Sequence, residues 1–372
     1  MQRPLESGYV LQGPFVDEFE RRFGEYVGAR HAVAASSCTS ALHLIVAALG
    51  ISPGDEVIVP AFTWISTANV VEHMGATPVF CDVDPDTYNI DVAQVGSLLT
   101  ERTVGVIAVH LFGLAADLDP LLDLCRRRGL WLVEDAACAL GAWYHGRHVG
   151  SFGAASAFSF HPRKSITTGE GGMVTTQDDT VASLNRSLRD HGSARADPVA
   201  DEEDPFLLAD FPRLGFNFRM TDIQGALGCA QMDRLDEILA RRREIAARYD
   251  ELLEDVDWLA TPAVPEGYVH GYQAYVCLFR PEAPVTENVE RLHRARNDVM
   301  RELEHAGIQT RQGTHAPVLT AYYAQKYGLR AEQFPYAYAS DRLTLALPLF
   351  PQLTDDEQST VVAELERAFA RV

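Results

Sequence analysis

The chain has 372 residues, 47 % of them apolar and 23 % charged, so it can bury a sizeable core and is not disordered throughout. Its 32 Lys and Arg stand against 52 Asp and Glu, a formal net charge of −20. An envelope this acidic disfavours nucleic acid and anionic membrane surfaces as partners, while a single helix terminus can still hold one phosphate. The first predicted element is an amphipathic helix over 14–27. Phe15, Phe19 and Phe23 recur every fourth residue, Pro14 suits its first turn and Gly28 its stop. In 33–50 a small-residue loop opens a long apolar helix that ends at Gly50. Runs of strand length follow at 57–60, 78–84, 104–113, 130–136 and 154–160, with helical segments at 64–74 and 117–129. Continuously apolar strands alternating with helices predict an α/β fold with a mostly parallel sheet covered on both faces. Ligands of such sheets bind beyond the carboxyl ends of the strands.

The stretch 193–215 is acidic, bears proline and lacks periodicity, so it reads as a surface loop or flap. A long helical pattern fills 221–254, with Thr221 and Gln224 fitting a capping box. Thereafter short strands (272–279, 343–349) and amphipathic helices (288–306, 354–370) predict a smaller α+β domain. The expected division is a large domain over 1–250 and a small C-terminal domain over 251–372. The six cysteines, Cys38, Cys81, Cys125, Cys138, Cys229 and Cys277, form no C-x-x-C pair and sit mostly in apolar runs. They read as reduced thiols of a cytoplasmic protein. The N-terminus carries no signal-peptide stretch and no run is long enough to span a membrane. Neither a dinucleotide nor a P-loop glycine motif occurs, and no His/Cys cluster supports a metal.

Three features in the first half combine. Asp135 follows the strand LWLVE, where a carboxylate faces a ligand or caps the next helix. Lys164 follows another strand, in a tight loop with Pro162, Gly169, Gly171 and Gly172. It is either a solvated charge or a partly desolvated nucleophile. The backbone N–H groups near Thr39 and Ser40 form the positive end of a helix, a phosphate seat or an ordinary cap. Pyridoxal phosphate accounts for all three, since it needs a lysine, an acid beside its ring nitrogen and a phosphate cradle. Trp64, just past VIVP, is either a core residue or the aromatic over the ring.

At this point the chain resembles the DegT/DnrJ/EryC1/StrS family of sugar aminotransferases, which have the aspartate aminotransferase fold (fold type I). The resemblance runs over nearly the whole chain, through blocks such as SGYVLQGPFVDEFERRFGEYVG, GDEVIVPAFTWISTAN, VEDAACALGA, SFHPRKSITTGEGGM and GFNFRMTDIQGALG. It implies a large domain built on a mostly parallel, seven-stranded mixed sheet between helices. It implies Lys164 as the Schiff-base lysine and Asp135 as partner of the pyridine nitrogen. Ser159, Thr39 and Ser40 would reach the phosphate, and Trp64 would stack on the ring. Asn217 resembles the asparagine that the family supplies to the neighbouring subunit's phosphate, which implies a homodimer with shared active sites; its plain reading is a turn residue. Two positions depart from the family pattern. Cys38 stands where glycine is usual, so ordinary backbone angles are expected there. Cys138 stands where Gln or His is frequent near the cofactor's phenolic oxygen, and a thiol donates weakly. The stretch before SGYV is short, which would reduce a segment that covers substrate.

The implied reaction is a ping-pong transfer from glutamate or glutamine, through the pyridoxamine 5'-phosphate form, to a keto-sugar. The expected acceptor is a nucleotide-linked 4-keto- or 3-keto-6-deoxyhexose. Arg311, Thr314 and His315, on a polar loop, are candidate substrate contacts, as are Tyr9 and His161. Arg219 would meet a carboxylate or diphosphate, or pair at the dimer interface. A keto-cyclitol acceptor is the alternative, and a non-catalytic cofactor-binding regulator the reading from another class. Retention of Lys164 argues against the family's dehydratases, which replace this lysine by histidine.

Overall fold

Seven strands form the central sheet, in spatial order His31–Ala35, Gly172–Thr176, Ala155–Ser159, Trp131–Asp135, Thr103–Val109, Glu56–Pro60 and Thr77–Cys81. A computed structural model describes residues 2–194 and 209–371. From Ala155–Ser159 to Thr77–Cys81 every neighbouring pair is parallel; Gly172–Thr176 runs against both of its neighbours. Alternate residues divide between two cores, Ile107 and Val133 facing one and Val106 and Leu132 the other. Apolar side chains are therefore needed at nearly every position, which is why these strands read as unbroken apolar runs.

Five of the seven strands coincide with the predicted runs. The sequence reading missed His31–Ala35, whose alanines and serines look like a loop, and Gly172–Thr176, which opens on a glycine. The helix over Pro14–Val27 ends as predicted, with Gly28 left-handed at φ 76°. Its first turn is capped from afar: Asp222 Oδ1 accepts the N–H groups of Phe15 and Val16, each at 2.9 Å. The helix predicted over 221–254 is two helices, Asp222–Met232 and Leu235–Leu252. The break falls where Arg234 leaves helical angles (φ −112°, ψ 3°) and Asp233 pairs with Arg22 at 2.7 Å. Thr221 and Gln224 do form the capping box. The flap predicted over 193–215 falls mainly on 195–208, outside the described residues.

Leu259–Ala260, Tyr275–Phe279 and Thr344–Leu347 form a separate antiparallel sheet, and the helices Val289–His305 and Asp355–Phe369 lie C-terminal to its first two strands and to its last. Between the first two of these strands, the chain pairs Tyr268–Val269 with Trp143–Tyr144. The C-terminal part is seated on the central sheet by a shared apolar core, with Phe80 against Tyr323, and by polar contacts. The Asp82 carboxylate accepts the N–H groups of Tyr336 and Ala337 at the start of the Pro335–Leu343 helix, and the Tyr323 hydroxyl donates to Asn69 at 2.8 Å. These contacts lie on the carboxyl side of the parallel strands, where the predicted site residues also lie. Among the described residues no helix is long and apolar enough to cross a membrane.

Candidate active site

The register of the sheet builds the site. Val109 pairs with Asp135, Asp135 with Ala157 and Ser159 with Gly172, so the segments following these strands open on one edge. Asp135 is 3 % exposed. Its Oδ2 accepts from the Thr67 hydroxyl at 2.7 Å and its Oδ1 from the Ala137 N–H at 3.2 Å. It closes a turn, and no helix follows for it to cap. Burial pushes its carboxyl above the ordinary value, against the pull of Thr67, Ala137 and Lys164.

Lys164 is held in the His161–Lys164 turn by its N–H to the His161 carbonyl at 2.9 Å. Its Nζ is no solvated charge, for it donates to Cys138 Sγ at 3.0 Å. Burial works against its proton, but the neighbouring sulfurs of Cys138 and Cys38 and the Asp135 carboxylate outweigh burial and raise its affinity for it. An amine and a buried acid thus stand within each other's field, the pairing that covalent attachment and ring-nitrogen recognition require.

The predicted phosphate seat is a helix start. Cys38–Ala48 is capped by Ser37, whose Oγ accepts the Ser40 N–H at 3.1 Å. The Ser40 hydroxyl meets those of Ser36 and Ser37 at 3.0 and 2.9 Å, and Thr39 meets Ser66 at 2.8 Å. Cys38 has ordinary backbone angles, as expected. Gly172 allows the seat to lie against the sheet, because a Cβ there would fall 2.3 Å from the Ser37 carbonyl oxygen and 2.6 Å from the Cys38 nitrogen. Ser159, opposite Gly172 in the ladder, reaches the same corner, and its Oγ accepts the His161 N–H at 3.4 Å. Gly172→Ala should therefore displace the helix start at a cost of roughly 1–3 kcal/mol and weaken phosphate-cofactor binding. A cofactor titration beside a thermal melt of the apoprotein checks this; wild-type values in both would refute it.

Trp64 is 58 % exposed, so it is no core residue. Its ring lies 5.9 Å from that of His315, whose carbonyl accepts the Thr63 N–H at 3.0 Å. The loop carrying Thr314 and His315 is thereby brought to the site. Arg311, exposed, is fixed by its backbone to Ala346. His161 faces Glu170 at 3.9 Å, and Tyr9 is exposed near the N-terminus. Asn217 is exposed between Phe216 and Phe218, which stack 4.9 Å apart, and the Phe218 carbonyl accepts the Ser36 N–H beside the phosphate seat. Arg219 Nη1 pairs within the chain with Asp190.

Sequence reasoning missed Thr67, Ser37, Gly172 and Glu134. Thr67 follows Trp64 by three residues at the head of a helix, a position that could have signalled it. The residues present fit pyridoxal phosphate: a buried amine, a buried acid with acceptor capacity left, a hydroxyl-lined helix start and an exposed indole. Among the described residues no group of metal-ligating side chains competes for the site.

Comparison with known proteins agrees with this fit. The model of the DegT/DnrJ/EryC1/StrS aminotransferase family matches residues 1–366. The chain is 40 % identical to GDP-perosamine synthase of Caulobacter vibrioides, over 97 % of this chain and 95 % of the relative. It is 39 % identical to spore coat polysaccharide biosynthesis protein SpsC of Bacillus subtilis, over 96 % and 90 %. Among solved structures, the putative sugar aminotransferase Spr1654 of Streptococcus pneumoniae in its PMP form superposes with a TM-score of 0.91 at 30 % identity, covering 99 % of this chain and 95 % of that one.

Proposed function

The chain belongs to the DegT/DnrJ/EryC1/StrS aminotransferase family and is a pyridoxal-phosphate-dependent sugar aminotransferase, and from that premise we propose its substrates and the roles of its residues. The donor is glutamate or glutamine, the acceptor a nucleotide-linked 4-keto- or 3-keto-6-deoxyhexose, and the scheme ping-pong. The observation that carries the reading is the Lys164 amine, 3.0 Å from Cys138 and within the field of the buried Asp135 carboxylate. The similarity to GDP-perosamine synthase supports a nucleotide-linked acceptor.

When bound, pyridoxal phosphate supplies an aldehyde that condenses with amines and a ring that draws electrons from the adjacent carbon. Lys164 would anchor it covalently. With the cofactor held there, Lys164 Nζ would serve as the base that moves the proton at the donor's α-carbon. Asp135 holds a proton on the ring nitrogen. The N–H groups and hydroxyls of Ser37, Thr39 and Ser40, with Ser159, take the phosphate. Trp64 would cover the ring, and Cys138 contacts the Lys164 amine. Asn217, exposed in one chain, serves the partner's phosphate, so the working unit is a homodimer. Residues 1–250 hold the cofactor, and 251–372 bring Arg311, Thr314 and His315 to the acceptor, with Tyr9, His161 and Arg219 at its margin. Six unpaired cysteines support a reducing, cytoplasmic setting.

Two half-reactions test the reading. Cofactor-loaded protein should convert L-glutamate to one equivalent of 2-oxoglutarate per site, and a nucleotide-linked 4-keto-6-deoxyhexose should then restore the original spectrum while gaining an amine. Restoration only by a keto-cyclitol would move the acceptor class. Absence of 2-oxoglutarate and pyruvate-type keto acids with any amino donor would overturn transamination.

A further inference from the structure

We propose that the Thr67 hydroxyl is a positioning group for this reaction: it aims Asp135 at the cofactor's ring nitrogen and keeps that carboxylate an acceptor. The inference rests on the aminotransferase reading and assigns one of its residues a task. Thr67 is fully buried in the first turn of the Ser66–His73 helix. A threonine there commonly turns its hydroxyl back on its own helix. Here Oγ1 instead reaches a strand 68 residues away and donates to Asp135 Oδ2 at 2.7 Å.

The consequences follow from counting protons and lone pairs. An ionised carboxylate only accepts, so the single Thr67 proton lies on the Asp135 side. Thr63 Oγ1, 3.3 Å from Thr67 Oγ1 and equally buried, is then the donor in that pair. The order Thr63, Thr67, Asp135 runs one way. With Thr67 on Oδ2 and the Ala137 N–H on Oδ1, the carboxylate cannot rotate without losing a donor, and each oxygen keeps a lone pair for a ring N–H. Without the hydroxyl, burial acts on the acid with one opponent fewer, and a neutral Asp135 no longer holds the ring nitrogen protonated. Thr63 and Thr67 also flank Trp64 in sequence, so the acid's support and the ring over the site belong to one short segment.

Thr67→Val removes the proton and keeps the shape, whereas Thr67→Ser keeps the proton. The first measurement uses the apoproteins and two probes, pyridoxal phosphate and its analogue with a C–H in place of the ring nitrogen. Wild type should prefer pyridoxal phosphate; Thr67→Val should lose that preference by about 10- to 100-fold, and Thr67→Ser should retain it. The glutamate half-reaction of Thr67→Val should show a similar fall in kcat with little change in KM. An unchanged preference in Thr67→Val, or an equal loss in Thr67→Ser, would overturn the proposal. Should Thr67→Val not fold, Thr67→Ala replaces it, since the ratio of two affinities is taken within one protein. The ratio needs no amino donor or keto-sugar, so it stands or falls apart from the substrate assignment.

Discussion

Lys164→Ala is expected to lower transamination by about 10⁴-fold or more, because one side chain supplies both the covalent anchor and the general base. The structure makes the loss hard to compensate. The amine donates to Cys138 from a turn closed by the residue's own backbone N–H. A guanidinium there would keep the charge but could neither attack an aldehyde nor take up a proton, so Lys164→Arg should fail as well. The phosphate seat at Ser37–Ser40 is independent of Lys164, so the alanine variant should still bind the cofactor, more weakly and reversibly. Borohydride reduction and peptide mapping should label Lys164 in the wild type and no peptide in the variant. A small external amine should restore part of the proton transfer. Wild-type turnover by the variant, or a label on another lysine, would remove Lys164 from its role.

The parts of the site legible in the sequence were those whose chemistry is carried by residue type at a strand end. Asp135 and Lys164 stand out because a charged residue at or just past the carboxyl end of an apolar strand lies where ligands of such sheets bind. The motif blocks then fixed the family. What stayed hidden depends on distant pairing. Gly172 looks like one more loop glycine until the helix start lies against it, and Thr67 like one more helix residue until Asp135 arrives from another strand. His31–Ala35 was lost because small residues carry little strand signal, although all five of its residues pair with Gly172–Thr176 at the edge of the sheet. Trp64 was ambiguous for the opposite reason: a large aromatic is usually core, and only its exposure beside His315 shows otherwise. Arg219 read as a contact to a carboxylate or diphosphate, or as an ion-pair partner at the dimer interface, and in the chain it pairs with Asp190.

The residue before the acid was also overlooked, and it is expected to matter as much to the fold as Asp135 matters to the reaction. Strand alternation turns Glu134 to the opposite face. There it is fully buried, and its oxygens accept from Gly150, Phe152 and Gly153 N–H groups, the Ser156 hydroxyl and His110 Nε2, at 2.7–3.0 Å. His110 Nδ1 accepts the Ala116 N–H, which leaves the ring proton on Nε2 and pointed at Glu134. Burial alone would raise this carboxyl, but the His110 hydrogen bond and the glycine N–H groups outweigh it and hold the group at about 2. The unfolded chain, near the ordinary glutamate value, then binds the proton first as pH falls. The folded state gains roughly 3 kcal/mol from this group above about pH 4.5, and that gain drains away as pH drops from there toward 2. Glu134→Gln sets an amide N–H₂ against donors already in place, so it should cost roughly 3–5 kcal/mol at neutral pH, a large share of a typical domain's stability. Its acid-unfolding profile should be flatter than the wild type's between pH 4.5 and 2. Because the same carboxylate pins the 150–153 turn that leads into Ala155–Ser159, looser cofactor binding should accompany the lower melting point. Urea melts at pH 7 and pH 4 with both proteins decide the matter: parallel curves with equal midpoints would mean that the buried acid and its five donors do not hold this corner of the sheet.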